Sequence, residues 1–168
     1  MKVGIISDTH SNIASIKKAC KIFNEQNINV ILHCGDITSE DALREFRDFK
    51  LYFVFGNIDV NRKELEKIST EIGFHCLKEE GVIILDKRRI ALIHGDNKKR
   101  LLEIIEQQEF DIILTGHTHK KEAYFFGKTL VINPGAHNPI NTLRENRTIA
   151  VLDLDKALTA ENVSFFSI

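Results

Sequence analysis

Residues 2–10 read KVGIISDTH, in which 2–7 form a short apolar run typical of a buried strand and 8–10 are polar. A second run of this kind, NVILHC at residues 29–34, leads into Gly35 and Asp36. Between the two runs, apolar residues recur at helical spacing and form one stripe at Ile13, Ile16, Cys20 and Phe23. Strands that alternate with helices predict right-handed crossovers and a mostly parallel sheet.

The alternation continues through the first half of the chain. A third strand is predicted over residues 51–55, and helices are predicted over residues 39–49 and from Asn61 to Gly73. Asn61 and Glu64 have the spacing of a capping box, which would start the last of these helices. Glycine at position 73 predicts its end.

The second half of the chain is rich in strands. Strand-like runs occupy residues 82–85, 89–94, 111–115, 123–126, 129–133, 148–154 and 162–167. One helix is predicted among them, over residues 98–107. So many strands would overfill one twisted sheet in a domain of this size, so two packed sheets with helices outside fit better.

Length and composition bound the class of protein. The chain has 168 residues, the size of one ordinary domain, and we expect a single domain over residues 1–168. Its 23 basic and 24 acidic residues give a net charge of −1, which argues against an extended nucleic-acid surface. No apolar run approaches the roughly 20 residues of a membrane span. Three cysteines without a C-x-x-C pair argue against a disulfide framework, and we expect a cytoplasmic protein.

Polar residues collect where the predicted strands end. Besides Asp8 and His10, these positions carry Asp36, Asn57, Asp59, His94, Asp96, His117, His119 and Asn133. Ligands of open α/β sheets bind just beyond the carboxyl ends of the strands, so we expect these groups to converge on one rim. Five of the nine glycines stand beside them, where glycine permits tight turns and a close approach of backbone to ligand.

Aspartate, histidine and asparagine without cysteine offer oxygen and nitrogen ligands. Such a set suits manganese, iron, cobalt, nickel or zinc ions. It is too large for one tetrahedral ion and about large enough for two. A carboxylate can bridge two metals about 3.5–4 Å apart, the separation used in two-metal phosphoester chemistry. A centre of this kind attracts a phosphate anion although the whole chain is nearly neutral.

In their order, these motifs resemble those of the calcineurin-like metallophosphoesterases. The family pattern D-x-H, G-D, G-N-x-[D/E], H-G, G-H-x-H occurs here as Asp8-x-His10, Gly35-Asp36, Gly56-Asn57-x-Asp59, His94-Gly95 and Gly116-His117-x-His119. The loop at Asn133 looks like that of the small single-domain phosphodiesterase branch. The resemblance spans residues 1–155. It implies an α/β fold, a four-layer α/β/β/α sandwich of two mixed sheets in a single domain.

Carried over position by position, the resemblance also implies a dinuclear metal site. One ion is placed on Asp8, His10, Asp36 and His119. The second is placed on Asp36, Asn57, His94 and His117, so that Asp36 bridges. Asp36, Asn57 and His94 are the implied catalytic residues, and no organic cofactor is expected. Manganese is the favoured metal, with nickel, cobalt, zinc or iron as alternatives. The implied reaction is hydrolysis of a phosphoester, with diesters favoured, by attack of a metal-bound hydroxide.

Two positions depart from the family pattern. Many members carry histidine directly after the motif asparagine, where it can protonate the leaving group, and this chain has Ile58. Asp96 stands where the family commonly reads H-G-H, and its carboxylate would either join the hydrogen-bond network behind the ligands or repel a highly charged monoester.

Asp59 is expected to orient its neighbours and not to bind metal. His137 either lines the pocket or packs in the core.

Two other functions compete with the enzyme. The family includes a retromer subunit that resembles these small phosphodiesterases and serves chiefly as a protein-interaction scaffold. All seven candidate ligands are present here, which favours the enzyme. A nuclease is disfavoured because the chain lacks a basic excess.

The expected partner is a small phosphate-ester substrate, with no extended nucleic acid and no membrane. The oligomeric state is open, with a homo-oligomer allowed.

Overall fold

The computed structural model describes residues 1–137 and 141–168. The first half of the chain alternates strands and helices in the order β1 (Lys2–Ile6), α1 (Ile13–Glu25), β2 (Val30–His33), α2 (Glu40–Arg44), β3 (Lys50–Phe53), α3 (Arg62–Ile72) and β4 (His75–Cys76). The second half follows as β5 (Glu80–Leu85), β6 (Arg88–Ile93), α4 (Lys98–Glu106), β7 (Ile112–Leu114), β8 (Lys121–Phe126), β9 (Thr129–Pro134), β10 (Thr148–Asp153) and β11 (Val163–Ser167). Short 3₁₀ helices at Arg144–Asn146 and Ala160–Asn162 precede β10 and β11.

The strands form two mixed sheets. The first sheet has the order β11-β10-β1-β2-β3-β4. In it β1 to β4 run parallel to one another, β10 is antiparallel to β1, and β11 is antiparallel to β10. The second sheet has the order β5-β6-β7-β9-β8, with a parallel centre of β6, β7 and β9 and an antiparallel strand at each edge. The two-sheet prediction is therefore confirmed.

Successive side chains of a strand point to opposite faces of its sheet, and this places them in different apolar cores. In β1, Ile5 faces the second sheet while Ile6 faces the opposite side, where it packs in one core with Phe23 of α1. In β7, Leu114 joins Ile5 between the sheets, whereas Ile113 packs with Ile105 of α4. Three apolar cores thus separate α1–α3, the first sheet, the second sheet and α4. This is the four-layer α/β/β/α sandwich, and the predicted fold class is confirmed.

Helix α2 is shorter than the prediction over residues 39–49. It covers Glu40–Arg44, and turns follow in which Phe49 donates a backbone hydrogen bond of 2.9 Å to the carbonyl of Phe46. The turns bury both rings, with Phe49 against Phe23 and Phe46 against His33. Packing of the two rings therefore overrides the helical spacing of the sequence.

The start of α3 also differs from the prediction. Asn61 occupies the N-cap position, but its side chain makes no capping hydrogen bond, so the predicted capping box is wrong. Its backbone lies at φ −91°, ψ 46°, away from the extended conformation typical of a capping residue. The predicted end is confirmed, because Gly73 closes the helix in the left-handed conformation at φ 88°.

The loops after β1, β2, β3, β6, β7 and β9 meet at one rim. Backbone hydrogen bonds tie them together: Asp8 N–H donates to Gly35 O at 3.0 Å, and Gly116 N–H donates to His94 O at 2.9 Å. His137 N–H in turn donates to Asp8 O at 3.0 Å. Within the described ranges, the structure contains no helix long and apolar enough to cross a membrane.

Candidate metal centre

The first cluster of candidate ligands surrounds Asp8. Its Oδ1 lies 3.2 Å from His119 Nε2 and 3.9 Å from His10 Nε2. The ligand atoms of these three residues all lie within 4.8 Å of one another. Thr142 Oγ1 lies 3.2 Å from the other ring nitrogen of His119 and fixes the orientation of the ring. The loops after β1 and β7 thus present one carboxylate and two imidazoles to a common point.

The second cluster surrounds Asp36. Its Oδ2 lies 3.3 Å from His94 Nε2, and ligand atoms of Asp8, Asp36 and His94 lie within 4.8 Å of one another. Asn57 Oδ1 lies 3.1 Å from the same His94 nitrogen. His10 Nε2 lies 4.0 Å from Asp36 Oδ2, so Asp36 stands between the two clusters.

His117 is the seventh candidate ligand. Its ring lies edge-on to that of His94, with the centroids 5.2 Å apart, while its backbone N–H donates to Asp8 Oδ2 at 3.0 Å. The structure therefore brings all seven candidate residues to the rim. The imidazole of His117 lies at the edge of the second cluster, beside His94.

The donor set fits divalent cations. Asp8 is fully buried, yet Asp8 Oδ1 and His10 Nε2 have no hydrogen-bond partner among the described residues. Buried polar atoms without a partner are rare because each costs free energy, and a cation bound between them would supply the missing interaction. Oxygen and imidazole nitrogen ligands without thiolate match manganese, iron, nickel, cobalt or zinc.

Electrostatics at the rim favours charged groups. Burial alone would lower the pKa of His94, but its contact with Asp36 and the charge of Asp8 outweigh burial and raise that pKa to about 9. Burial would raise the pKa of Asp8, but His119 and His94 outweigh it and lower that pKa. Asp8 therefore carries a negative charge at neutral pH, as a cation site requires.

The surroundings of His94 fix which of its ring nitrogens can face a metal ion. Nδ1 lies 2.8 Å from the carbonyl oxygen of Cys34, which can only accept a hydrogen bond, so Nδ1 carries a proton. Nε2 is left facing Asn57 and Asp36. This is the arrangement found for metal-binding histidines, in which the distal nitrogen donates to a carbonyl group.

Asp59 orients the loops, as predicted, and belongs to neither ligand cluster. Its buried carboxylate accepts backbone hydrogen bonds from Asp36 at 2.8 Å, Gly56 at 2.8 Å and Thr38 at 2.7 Å. Burial raises the pKa of Asp59 although these N–H groups oppose the shift. The loops after β2 and β3 are thereby held in one arrangement.

Two buried histidines support the rim from behind. His33 accepts a hydrogen bond from Gly35 N–H at 3.1 Å and lies 3.1 Å from Thr9 Oγ1, so it packs and positions the loop, as predicted. His137 is also buried, with Nδ1 3.0 Å from Ser15 Oγ on α1. Burial lowers the pKa of each ring to about 3, so both are neutral.

The backbone conformation at the rim is a feature that the sequence does not indicate. Five of the seven candidate ligands adopt positive φ: Asp8 (53°), His10 (45°), Asp36 (61°), His117 (64°) and His119 (56°). Residues other than glycine rarely adopt this conformation, and strain of this kind concentrates at functional sites. The residue types at these five positions do not indicate a positive φ, because aspartate and histidine also occupy ordinary turns.

Two glycines allow the carboxylates to approach the neighbouring loops. A Cβ on Gly56 would overlap the carboxylate of Asp36, and a Cβ on Gly116 would overlap Ser7 Oγ and crowd Asp8 Oδ2. Both positions need glycine for space. Each carboxylate is therefore enclosed by a backbone segment of the next loop.

A four-layer sandwich with clustered aspartate, asparagine and histidine at its strand ends defines a metal-dependent class of phosphoesterases. The chain belongs to the calcineurin-like phosphoesterase superfamily, whose domain model matches residues 1–157. The family named from the motifs is therefore confirmed.

Individual relatives agree with this family. The chain is 31% identical over 159 residues to phosphodiesterase MJ0936 of Methanocaldococcus jannaschii, covering 93% of this chain and 95% of that protein. It is 27% identical over 144 residues to a probable metallophosphoesterase of the same organism, MJ0623, covering 81% of this chain and 68% of the relative.

Solved structures share the fold. An archaeal phosphodiesterase superimposes with a TM-score of 0.86 at 27% identity, with all of both chains covered. Zinc-bound Vps29 of Entamoeba histolytica superimposes with a TM-score of 0.68 at 21% identity, covering 100% of this chain and 98% of that one. The second similarity concerns the fold alone.

Proposed function

We propose that this chain is a dinuclear metal-dependent phosphodiesterase. The observation that carries the proposal is the pair of ligand clusters built around two adjacent buried carboxylates, Asp8 and Asp36. The phosphodiesterase relative that is 31% identical supports the same reaction class.

The proposed ligands of one ion are Asp8, His10, Asp36 and His119. The proposed ligands of the other ion are Asp36, Asn57, His94 and His117. Asp36 is the proposed bridge, which its position between His94 and His10 supports. When bound, two divalent ions supply Lewis acidity for a phosphoryl oxygen and lower the pKa of water.

The protein's own groups orient this chemistry. Asn57 and His94 are proposed to act together, because Asn57 Oδ1 lies 3.1 Å from His94 Nε2. The backbone N–H of Ile58 donates to Asp36 Oδ1 at 3.1 Å and leaves Oδ2 directed at His94. These contacts fix the carboxylate before substrate binds, so little reorganisation is needed during the reaction.

Charge and proton supply favour diesters with acidic leaving groups. Asp96 is exposed two positions after His94, and its carboxylate repels a dianionic monoester more than a monoanionic diester. Ile58 is 40% exposed beside Asn57 and carries no proton for a leaving group. An acidic leaving group departs without that proton.

Metal, partners and location belong to the same proposal. Manganese is the metal we favour among the divalent ions that the donor set fits, and the proposed substrate is a small phosphate ester with no extended nucleic acid. The near-neutral net charge of −1 supports that choice of substrate. The cysteines at positions 20, 34 and 76 are free thiols, which supports a cytoplasmic location.

The experiment compares bis-p-nitrophenyl phosphate with p-nitrophenyl phosphate. Chelator-stripped protein is assayed before and after manganese, nickel, cobalt or zinc is restored, with Asp36→Ala as the matched variant. Metal-restored diester turnover that Asp36→Ala lacks is expected. Equal turnover in wild type and Asp36→Ala would overturn the proposal.

A protein-interaction scaffold is the second candidate function. Three consecutive half-exposed aromatic residues on edge strand β8 favour it, Tyr124, Phe125 and Phe126, and the fold shared with Vps29 is compatible with it. A protein that binds two ions but hydrolyses neither ester with any of the four metals would support the scaffold.

A further inference from the structure

A cavity of about 350 Å³ lies beside the candidate metal centre. Its wall includes Gly56, which directly precedes Asn57, and Asp96, which follows His94 by two positions. This volume falls in the range of small-molecule pockets, roughly 300–1,000 Å³. None of the seven proposed ligands is among its described lining residues. The cavity is therefore a separate space next to the Asn57 and His94 side of the centre.

Two ion pairs form part of the cavity wall. Arg62 Nη1 lies 2.7 Å from Glu79 Oε1. Arg100 holds Glu80 through two atoms, with Nη2 2.6 Å from Oε1 and Nε 2.9 Å from Oε2. Arg100 Nη1 also lies 3.4 Å from Oε2 of Glu103, which is not among the described lining residues. Both guanidinium groups are thus neutralised by carboxylates, and the wall still offers hydrogen-bond donors beside acceptors.

Asp96 differs from the other acidic residues of the wall. It is exposed, and it makes no hydrogen bond or ion pair with any residue that the structure describes. After the two ion pairs cancel, Asp96 contributes the remaining charge of the wall. It is an acceptor available to a ligand.

The mixture of donors and acceptors selects the ligand chemistry. The wall presents guanidinium donors next to carboxylate acceptors, and Asp96 leaves it with a surplus of one negative charge, which disfavours an additional anionic group. A hydroxyl group both donates and accepts, so it can satisfy either kind of wall atom. We infer that the cavity binds a hydroxyl-rich organic group of the ester and that Asp96 accepts a hydrogen bond from it. This inference rests on the proposed function, because it assigns a substrate class to the same centre.

Binding of three phosphate monoesters to manganese-loaded protein tests the inference. Glycerol 3-phosphate, ribose 5-phosphate and ethyl phosphate carry the same phosphate group, but only the first two carry free hydroxyls. Calorimetry is expected to show a preference for at least one hydroxylated ester over ethyl phosphate of about tenfold, the scale of one hydrogen bond to a charged group. Whichever of the two binds more tightly identifies glycerol or ribose as the source of the hydroxyls.

Asp96 variants assign the preference to the cavity. Asp96→Ala is expected to reduce the ratio to near one, while Asp96→Asn keeps part of it because an amide oxygen still accepts. Glu106→Ala removes an exposed carboxylate of α4 outside the cavity and keeps the full ratio. Equal affinity of wild type for all three esters, or an unchanged ratio in Asp96→Ala, would overturn the inference.

Turnover is measured on the same preparations with bis-p-nitrophenyl phosphate. A preference that depends on Asp96 in a protein without turnover supports the cavity assignment while removing the proposed function. Turnover without a preference removes the cavity assignment alone. The two proposals therefore fail separately.

Discussion

The carboxylate of Asp59 accepts the backbone N–H of Asp36 at 2.8 Å, so a residue outside both ligand clusters holds the central carboxylate of the site. The same carboxylate accepts N–H groups of Gly56 and Thr38. Asp59 therefore joins the two loops that carry Asp36 and Asn57. This contact fixes the positions of the two loops relative to each other.

Replacement of Asp59 tests that dependence. Asp59→Ala leaves three backbone N–H groups without their acceptor, and we expect a loss of about 3 kcal/mol in the free energy of unfolding. Manganese affinity is expected to fall as well. Urea unfolding of the chelator-treated protein and calorimetry with manganese measure the two effects. Asp59→Asn keeps one acceptor oxygen and is expected to lose less in both measurements. Unchanged manganese affinity in Asp59→Ala would show that the contact does not position the ligands.

Replacement of Gly116 tests whether the close approach of its backbone to Ser7 and Asp8 is needed for metal binding. Gly116→Ala places a methyl group against Ser7 and Asp8, so we expect manganese affinity to fall at least tenfold. Gly73→Ala is the matched control, because its Cβ meets open space and only the left-handed backbone is strained, at about 1 kcal/mol. Calorimetry and urea unfolding compare the two variants. Equal manganese affinity in both variants is the result that this account does not allow.

Metal binding is expected to stabilise the folded protein. A ligand that binds only the native state at one hundred times its Kd adds about 2.7 kcal/mol to the free energy of unfolding. Thermal unfolding with and without manganese measures the shift, and EDTA is expected to reverse it. Asp36→Ala is expected to show little shift. A melting temperature that manganese leaves unchanged in the wild type would argue against a built metal site.

Replacement of Ile58 tests whether a missing proton donor for the leaving group limits turnover. Ile58→His introduces an acid beside Asn57, and a general acid contributes roughly 10²–10⁴-fold where it protonates the leaving group. We expect a gain of at least tenfold on diesters with poor leaving groups and little change on p-nitrophenyl esters. Rates for a series of aryl methyl phosphates give the dependence on the leaving-group pKa. Ile58→Leu controls for packing, and an equally steep dependence in Ile58→His and wild type would count against this role.

The sequence predicted the parts of the molecule in which local pattern and tertiary packing agree. The strand at residues 2–7 and the glycine end of α3 are examples, since a short apolar run and a glycine after a helical segment leave few other structures. Helix α2 was predicted too long because burial of Phe46 and Phe49 is decided by distant partners.

The same distinction between local pattern and contacts of distant residues applies to the candidate site. Convergence of the polar residues followed from their place after strands, because parallel strands end at the same rim. The positive φ of Asp8 and Asp36, and the three N–H groups held by Asp59, depend on contacts between loops that are distant in the chain. No spacing of residue types reports such contacts.

Titration of stripped protein with manganese tests whether two bound ions are needed for turnover. Bound manganese and turnover of bis-p-nitrophenyl phosphate are measured at each addition. Turnover is expected to rise with the second bound equivalent and to reach its maximum at two per chain. Full turnover at one equivalent, or no turnover at two, would contradict a dinuclear phosphodiesterase.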